Sequence, residues 1–196
     1  MKTLSTLLFL ALFSFSASVS AQSALLSKMM FHAGFTYEFF TLRPSVGSNE
    51  ASILPFYGLS GGMNYVLVHS NDQISLLANP NLALAYAGGY NGSLFMVQAP
   101  VFVSARVGAG ATPFNENKFG FGAGAGVNVN YLYGNGAYNG LNHTLFLPSA
   151  MVEMLVNGRN SFYAIRAHFT LIPEQKKLGG DNVDFSNFGL SINYSF

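Results

Sequence analysis

FSNFGLSINYSF, residues 185–196, is the stretch that decides the fold. Its apolar residues Phe188, Leu190, Ile192, Tyr194 and Phe196 alternate with Asn187, Gly189, Ser191, Asn193 and Ser195. Strict period two places the apolar set on one face of a strand and the small polar set on the other. A helix would scatter the same residues around its circumference.

Working back from this strand, seven more segments have the length and pattern of strands: 29–42, 57–69, 73–87, 93–111, 119–133, 145–156 and 161–172. Each exceeds the roughly 9–11 residues that a tilted strand needs to cross a bilayer. Three connections have short-turn chemistry: Asn71-Asp72, Asn115-Glu116-Asn117 and Asn157-Gly158. The other four, 43–56, 88–92, 134–144 and 173–184, are longer or glycine-rich. Short and long joints therefore alternate along the chain. If the more apolar face points outward, the inward residues are even-numbered in 57–69, 93–111, 119–133 and 161–172, and odd in 73–87 and 145–156. Hairpin partners share a face, so a two-residue turn joins faces of opposite parity and a three-residue turn joins like parity. All three short turns obey this rule. Pro80, Pro100 and Pro148 oppose it, because proline removes a ladder donor, and bulges are expected there.

Composition points the same way. Charged residues make up 9% of the 196, aromatics 15%, and glycine contributes 21 residues; soluble domains carry roughly 25% charge. An exported soluble β-barrel or sandwich is the alternative, but it would carry charge on the outward faces of its strands, and these strands have almost none. The first 21 residues have the form of a secretory signal peptide, with Lys2, an apolar stretch at 7–15 and Val19-Ser20-Ala21 before the cleavage point. The expected division is thus 1–21 signal peptide and 22–196 barrel. After cleavage, eight basic residues balance eight acidic ones, which leaves no field to recruit nucleic acid. No cysteine is present, so disulfides and thiolate chemistry are excluded. No later run of about 18 apolar residues exists to form a spanning helix.

The terminal Phe196, Tyr194 two before it, and the alternation behind them resemble the C-terminal strand of bacterial outer-membrane barrels. The whole is similar to the small eight-stranded barrels, such as the transmembrane domain of outer membrane protein A and its relatives. The resemblance implies an antiparallel up-and-down barrel inserted by the barrel-assembly machinery, with Phe188, Leu190, Ile192, Tyr194 and Phe196 as its assembly signal. It also implies residence among outer-membrane lipids, both termini in the periplasm, and a structural or interaction role; the modest loops and wide apolar wall are compatible with a place in a larger outer-membrane complex.

Inside such a barrel fall Glu38, Arg106, Glu153, Arg166 and His168, all on inward parity. Two Glu balance two Arg, and Glu153 lies close to a diagonal neighbour of Arg166. An eight-stranded barrel is just wide enough for side chains to fill, so a charge-paired plug is expected; a narrow conduit or a buried catalytic group is the sharper alternative. A lipid-modifying enzyme would use His with Ser or Asp near a rim. His143 stands beside Thr144 and near Tyr138, Asn139 and Asn142, and His69 stands beside Ser70 and Asp72, but neither has triad spacing. HExxH, GxSxG and Walker-type loops are absent, and four scattered histidines offer no metal site or cofactor pocket.

FGFGAGAGVNVNYLY, residues 119–133, invites a phosphate-loop reading, but Val129 occupies the position where G-x-G-x-x-G requires glycine. The apolar odd positions instead form one strand face. Gly120, Gly122, Gly124 and Gly126 then form an inward ladder that leaves room for large neighbours such as Phe102, Arg106 and Met151.

Overall fold

A computed structural model describes residues 27–44, 51–89, 92–136, 138, 140–158, 161–178 and 180–196. The signal-peptide segment 1–21 and Asn139 lie outside the described residues. The strands are β1 (Met29–Pro44), β2 (Ser52–Ser70), β3 (Ile74–Gly89), β4 (Gly92–Gly108), β5 (Phe119–Gly136), β6 (His143–Asn157), β7 (Phe162–Thr170), β8 (Glu174–Leu178) and β9 (Asp181–Ser195). All pairings are antiparallel; β1 to β7 pair in sequence order, and β9 pairs back onto β1. β7 and β8 pair in succession with β9, so nine strands make eight staves of a closed barrel.

The stagger of the staves follows from the register. Starting at Met29, successive partners are Tyr65, Ala78, Val103, Ala125, Ala150, Phe169, Phe188 and then Phe39. One circuit thus returns to β1 ten residues further along. At ~3.3 Å per residue and ~4.8 Å between strands, this stagger tilts the strands by about 40°. The barrel radius is then about 8 Å, which side chains can fill.

The short connections differ from their expected lengths. The β2–β3 turn has three residues, Asn71, Asp72 and Gln73, with Asn71 and Asp72 at φ 48° and 54°. A bulge between Val66 and Val68 absorbs the extra residue, so the expected facing is kept through the barrel body. The β6–β7 connection has four residues, 158–161. β4 stops at Gly108, three residues before its expected end, and the supposed turn at 115–117 is part of a ten-residue connection, 109–118. Gly108 and Gly110 take φ of 77° and 67°, which glycine adopts at no steric cost. The chain then folds back into the barrel end, burying Ala109, Ala111 and Thr112.

No register shift occurs at Pro80, Pro100 or Pro148. Around Pro80 and Pro100 the ladder opens without slipping: β2–β3 pairing skips residues 79–80 and β3–β4 pairing skips 81–82. Pro148 turns its missing donor toward β7, where the pairing has already ended. One absent bond per proline is thus accommodated without inserting a residue.

At the end away from the termini the strands run further than expected. β1 reaches Pro44, β2 begins at Ser52, and β5 reaches Gly136. Segment 173–184, expected as a loop, contains β8 paired with the start of β9.

Candidate functional site: a filled interior and a belted wall

The interior has three layers. At the terminal end, Met30, Val66, Leu77, Ala109, Leu155, Phe162 and Ala164 form a small apolar cluster. At the opposite end a larger one gathers Phe40, Phe56, Leu94, Met96, Leu132, Leu145, Leu147 and Phe185, each at most 1% exposed. Between them lies a polar layer in which every charged group has a partner.

Glu153 is the centre of that layer. Its Oε1 accepts from Arg106 Nε at 2.8 Å and lies 2.7 Å from Arg106 Nη2. Its Oε2 accepts from Arg166 Nη2 at 3.1 Å. Arg106 Nη1 also donates to the Gly110 carbonyl at 2.8 Å, which ties the connection 109–118 to the interior. From Arg166 a chain of weaker and stronger bonds runs through Asn64, Asn79 and Ser104: Arg166 Nη2 to Asn64 Oδ1 at 3.5 Å, Asn79 Nδ2 to Asn64 Oδ1 at 2.7 Å, and Ser104 Oγ to Asn79 Oδ1 at 2.6 Å.

Glu38 is separate. It meets His168 Nε2 at 3.1 Å and accepts from Thr36 Oγ1 at 2.6 Å. The structure therefore brings Arg106, Glu153 and Arg166 together and places Glu38 with His168. The two Glu do not take one Arg each: both guanidiniums share Glu153. Arg166 is also its direct register partner rather than a diagonal one.

Glycines make both clusters possible. Gly122 is paired with Arg106 on one side and Glu153 on the other, and a Cβ there would sit 2.5 Å from Glu153 Oε1. Gly124 pairs with Ser104 and Met151, and Gly126 with Phe102 and Ser149. Gly120 faces the Ala109 backbone, with which its Cβ would collide. Gly189 was not singled out by the sequence beyond its place in the polar face. It lies between Glu38 and His168 in the ladder, and a Cβ there would overlap the Glu38 carboxylate and the His168 ring. The lone glycine in an otherwise Asn/Ser row was the signal available.

His143 and His69 stand at opposite ends of the barrel. The His143 ring packs edge-on against Phe185 at 5.9 Å. Asn142 accepts from the Gly134 amide at 3.1 Å. His69 Nδ1 lies 3.3 Å from Asp72 Oδ1, both half-exposed. Among the described residues, no three His, Cys, Asp or Glu gather as a metal site.

The outer wall inverts the chemistry of the interior. Phe35, Leu59, Leu84, Val101, Val127, Ile165 and Ile192 project outward and are exposed. Tilted strands rise about 2.5 Å per residue along the axis. On that scale most outward aromatics fall in two belts, with Phe35 and Phe169 between them. Phe31, Phe121, Tyr163, Tyr194 and Phe196 ring the terminal end, and Phe39, Tyr57, Tyr86, Phe95, Tyr131 and Phe146 ring the other. The belts stand roughly 20 Å apart and bound an apolar band of the ~25 Å class found in membrane barrels. With ladder closure, an ionic interior and a belted apolar wall, the architecture is decided. The chain is a closed eight-stave antiparallel β-barrel.

No protein-family model matches the chain, and no curated protein matches it by sequence. Among solved structures it is similar to Ail, the attachment invasion locus protein of Yersinia pestis, with 10% identity and a TM-score of 0.44 over 86% of this chain and 99% of that one. Neisserial surface protein A is similar at 11% identity and a TM-score of 0.45, over 84% and 95% of the two chains. The translocator domain of the autotransporter NalP from Neisseria meningitidis is similar at 7% identity and a TM-score of 0.35, over 90% and 92%.

Proposed function

We propose that this barrel is a sealed outer-membrane protein that works through its outer surface, in a structural or protein-interaction role, and is neither a pore nor a lipid-modifying enzyme. One observation carries the reading: the apolar cluster at the end away from the termini closes the bore above a layer of ion-paired side chains, and the cavity of about 670 Å³ lined by Met30, Thr112, Asn115, Phe162 and Ser195 is confined to the terminal mouth. Water needs polar, roomy space, and the layer containing Phe40, Phe56, Leu132, Leu145 and Phe185 provides neither. Catalysis needs access, and the buried Glu38–His168 pair has no hydroxyl nucleophile placed against it other than Thr36, which donates to Glu38.

In this reading residues 1–21 direct export and are removed, and 22–196 form the barrel. The terminal end faces the periplasm. Phe188, Leu190, Ile192, Tyr194 and Phe196, the outward row of β9, are the feature read by the barrel-assembly machinery, and outer-membrane lipid covers the belted wall. Planar-bilayer recording of the purified barrel tests the central point. A bilayer that stays silent is expected, and stepwise conductance overturns the sealed-interior reading. Unchanged lipid A in a host expressing the protein is the companion result, and a mass shift would restore the enzymatic alternative.

A further inference from the structure

Among the described residues, the wall has a slit between β6 and β8. The β4–β5 ladder runs from Gly92↔Gly136 to Gly108↔Gly120, the full height of the barrel. The β6–β7 ladder stops at Ser149↔Thr170. Above that point, His143–Pro148 pairs only with β5, and β8 pairs only with β9. Two edges of the same sheet therefore face each other without a ladder, at the level of the belt that includes Phe146 and above it.

The sequence encodes this gap. Backbone groups alternate in direction along a strand. Leu171 N–H donates to the Pro148 carbonyl at 2.7 Å, so Pro148 and Pro173 also direct their backbone nitrogens into the slit. Continuing the β6–β7 register would set Pro173 opposite Phe146. Neither proline has an N–H to give, so each of the next two pairs loses one of its two bonds: Leu171 N–H still reaches the Pro148 carbonyl, but Pro148 and Pro173 donate nothing in return.

The Phe146 N–H shows what the slit accepts. It donates to the side-chain carboxylate of Glu174, not to a backbone carbonyl. That carboxylate, which also meets Lys176 Nζ at 2.7 Å, occupies the place of a neighbouring strand's C=O. By the same alternation, the Thr144 N–H and the Thr144 and Phe146 carbonyls face the slit at ladder spacing. Outside it stand the exposed apolar side chains of Phe146, Leu171 and Ile172. A backbone group left without a partner in such surroundings is costly.

We propose that the slit is a strand-acceptor site: the free edge of β6 at His143–Pro148 takes an extended polypeptide segment of a partner protein, whose backbone carbonyl displaces Glu174 from Phe146 N–H. The segment has apolar residues at alternate positions, to lie beside Phe146 and Ile172 at the membrane surface. This is strand addition, in which main-chain bonds supply affinity. A lipid acyl chain has no group that could take the place of the Glu174 carboxylate at the Phe146 N–H. A second copy related by an axis along the membrane normal would bring its β6 alongside with the same direction, not antiparallel. The proposal rests on the interaction role argued above and names the surface and partner class for it.

The test places p-benzoylphenylalanine singly at Thr144 and Phe146, and at Val103 and Ala125 in the closed β4–β5 seam, in outer membranes of the native host. Irradiation is expected to give adducts with one polypeptide other than this chain from 144 and 146, at least fivefold above 103 and 125. Glu174→Ala frees the Phe146 amide and is expected to raise the yield at least twofold. Pro148→Val with Pro173→Val restores both donors, zips the slit and is expected to lower the yield at least fivefold. If that double variant fails to give a heat-modifiable folded band, the Glu174→Ala comparison decides alone. Adducts of lipid only, adducts of twice this chain's mass, equal yields at the control sites, or indifference to Glu174→Ala each overturn the proposal. Bilayer recording on the same preparations separates the two readings, since conductance with an intact adduct pattern removes only the sealed interior, and silence without adducts removes only the strand acceptor.

Discussion

Replacing Glu153 by alanine removes the shared acceptor of two buried guanidiniums. Four N–H contacts are lost: Arg106 Nε and Nη2 at 2.8 and 2.7 Å, and Arg166 Nε and Nη2 at 3.3 and 3.1 Å. Arg106 and Arg166 are both at most 3% exposed, so neither can turn to water. Breaking a buried ion pair by deleting one partner costs about 3–5 kcal/mol, because an uncompensated charge stays inside. Here two like charges remain, and the upper end of that range is expected. Glu153→Gln keeps an oxygen for one guanidinium but turns an amide N–H group toward the other and leaves both positive charges uncompensated, so its loss is expected to stay in the same range of about 3–5 kcal/mol. Replacing all three residues by methionine removes the buried charges together and is expected to recover at least half of the alanine loss. Urea unfolding in detergent micelles, followed by circular dichroism, measures the series. A midpoint for Glu153→Ala equal to wild type would refute the reasoning, since it would mean that water reaches the guanidiniums and the middle layer is not sealed.

Other perturbations probe different layers. Gly189→Ala puts a methyl group on the Glu38–His168 contact; losing that bond at about 1.5–3 kcal/mol, less the about 0.4–1 that alanine gains by restricting the unfolded chain, leaves a net loss of about 1–2 kcal/mol in the same assay. Adding His168→Ala should then cost little more, and full additivity would contradict the placement of Gly189 between the pair. Gly124→Leu drives a side chain into Ser104 Cβ, 2.7 Å from where its own Cβ would stand, and is expected to abolish the heat-modifiable folded band; normal assembly would mean that the space beside β5 is empty. Phe196→Ala leaves the interior untouched, because Phe196 is exposed. It is expected to reduce assembly in cells several-fold while refolding in detergent proceeds normally, and equal losses in both would assign Phe196 to stability instead.

The faces of the barrel were legible in the sequence wherever apolar and polar residues alternate, as in 119–133 and 185–196. Parity then sorted Glu38, Arg106, Glu153, Arg166 and His168 inward without coordinates. The apolar stoppers were hidden, because Phe39-Phe40, Leu94–Val97 and Leu145-Phe146-Leu147 are apolar on both faces and period two disappears there. Which carboxylate meets which guanidinium was not readable either. That depends on the ten-residue stagger, which brings Arg106 on β4 and Glu153 on β6 together across β5, over Gly122. The connection 109–118 was misjudged because its Asn residues looked like a turn tip, while Gly108 and Gly110 had already ended the strand. The β6–β8 slit is written in Pro148 and Pro173, but only the register shows that both face the same gap.

The central claim is that lipid covers the wall and side chains fill the inside. The chain has no tryptophan, so single Phe→Trp variants report cleanly on their surroundings. In vesicles of brominated phospholipid, Trp at positions 95, 121, 169 and 188 is expected to be strongly quenched, because these phenylalanines face outward. Trp at 40, 56, 102 and 185, where the phenylalanines are buried in the interior, is expected to retain nearly all of its emission. Equal quenching of the two sets, or stronger quenching of the second, would contradict the barrel as described.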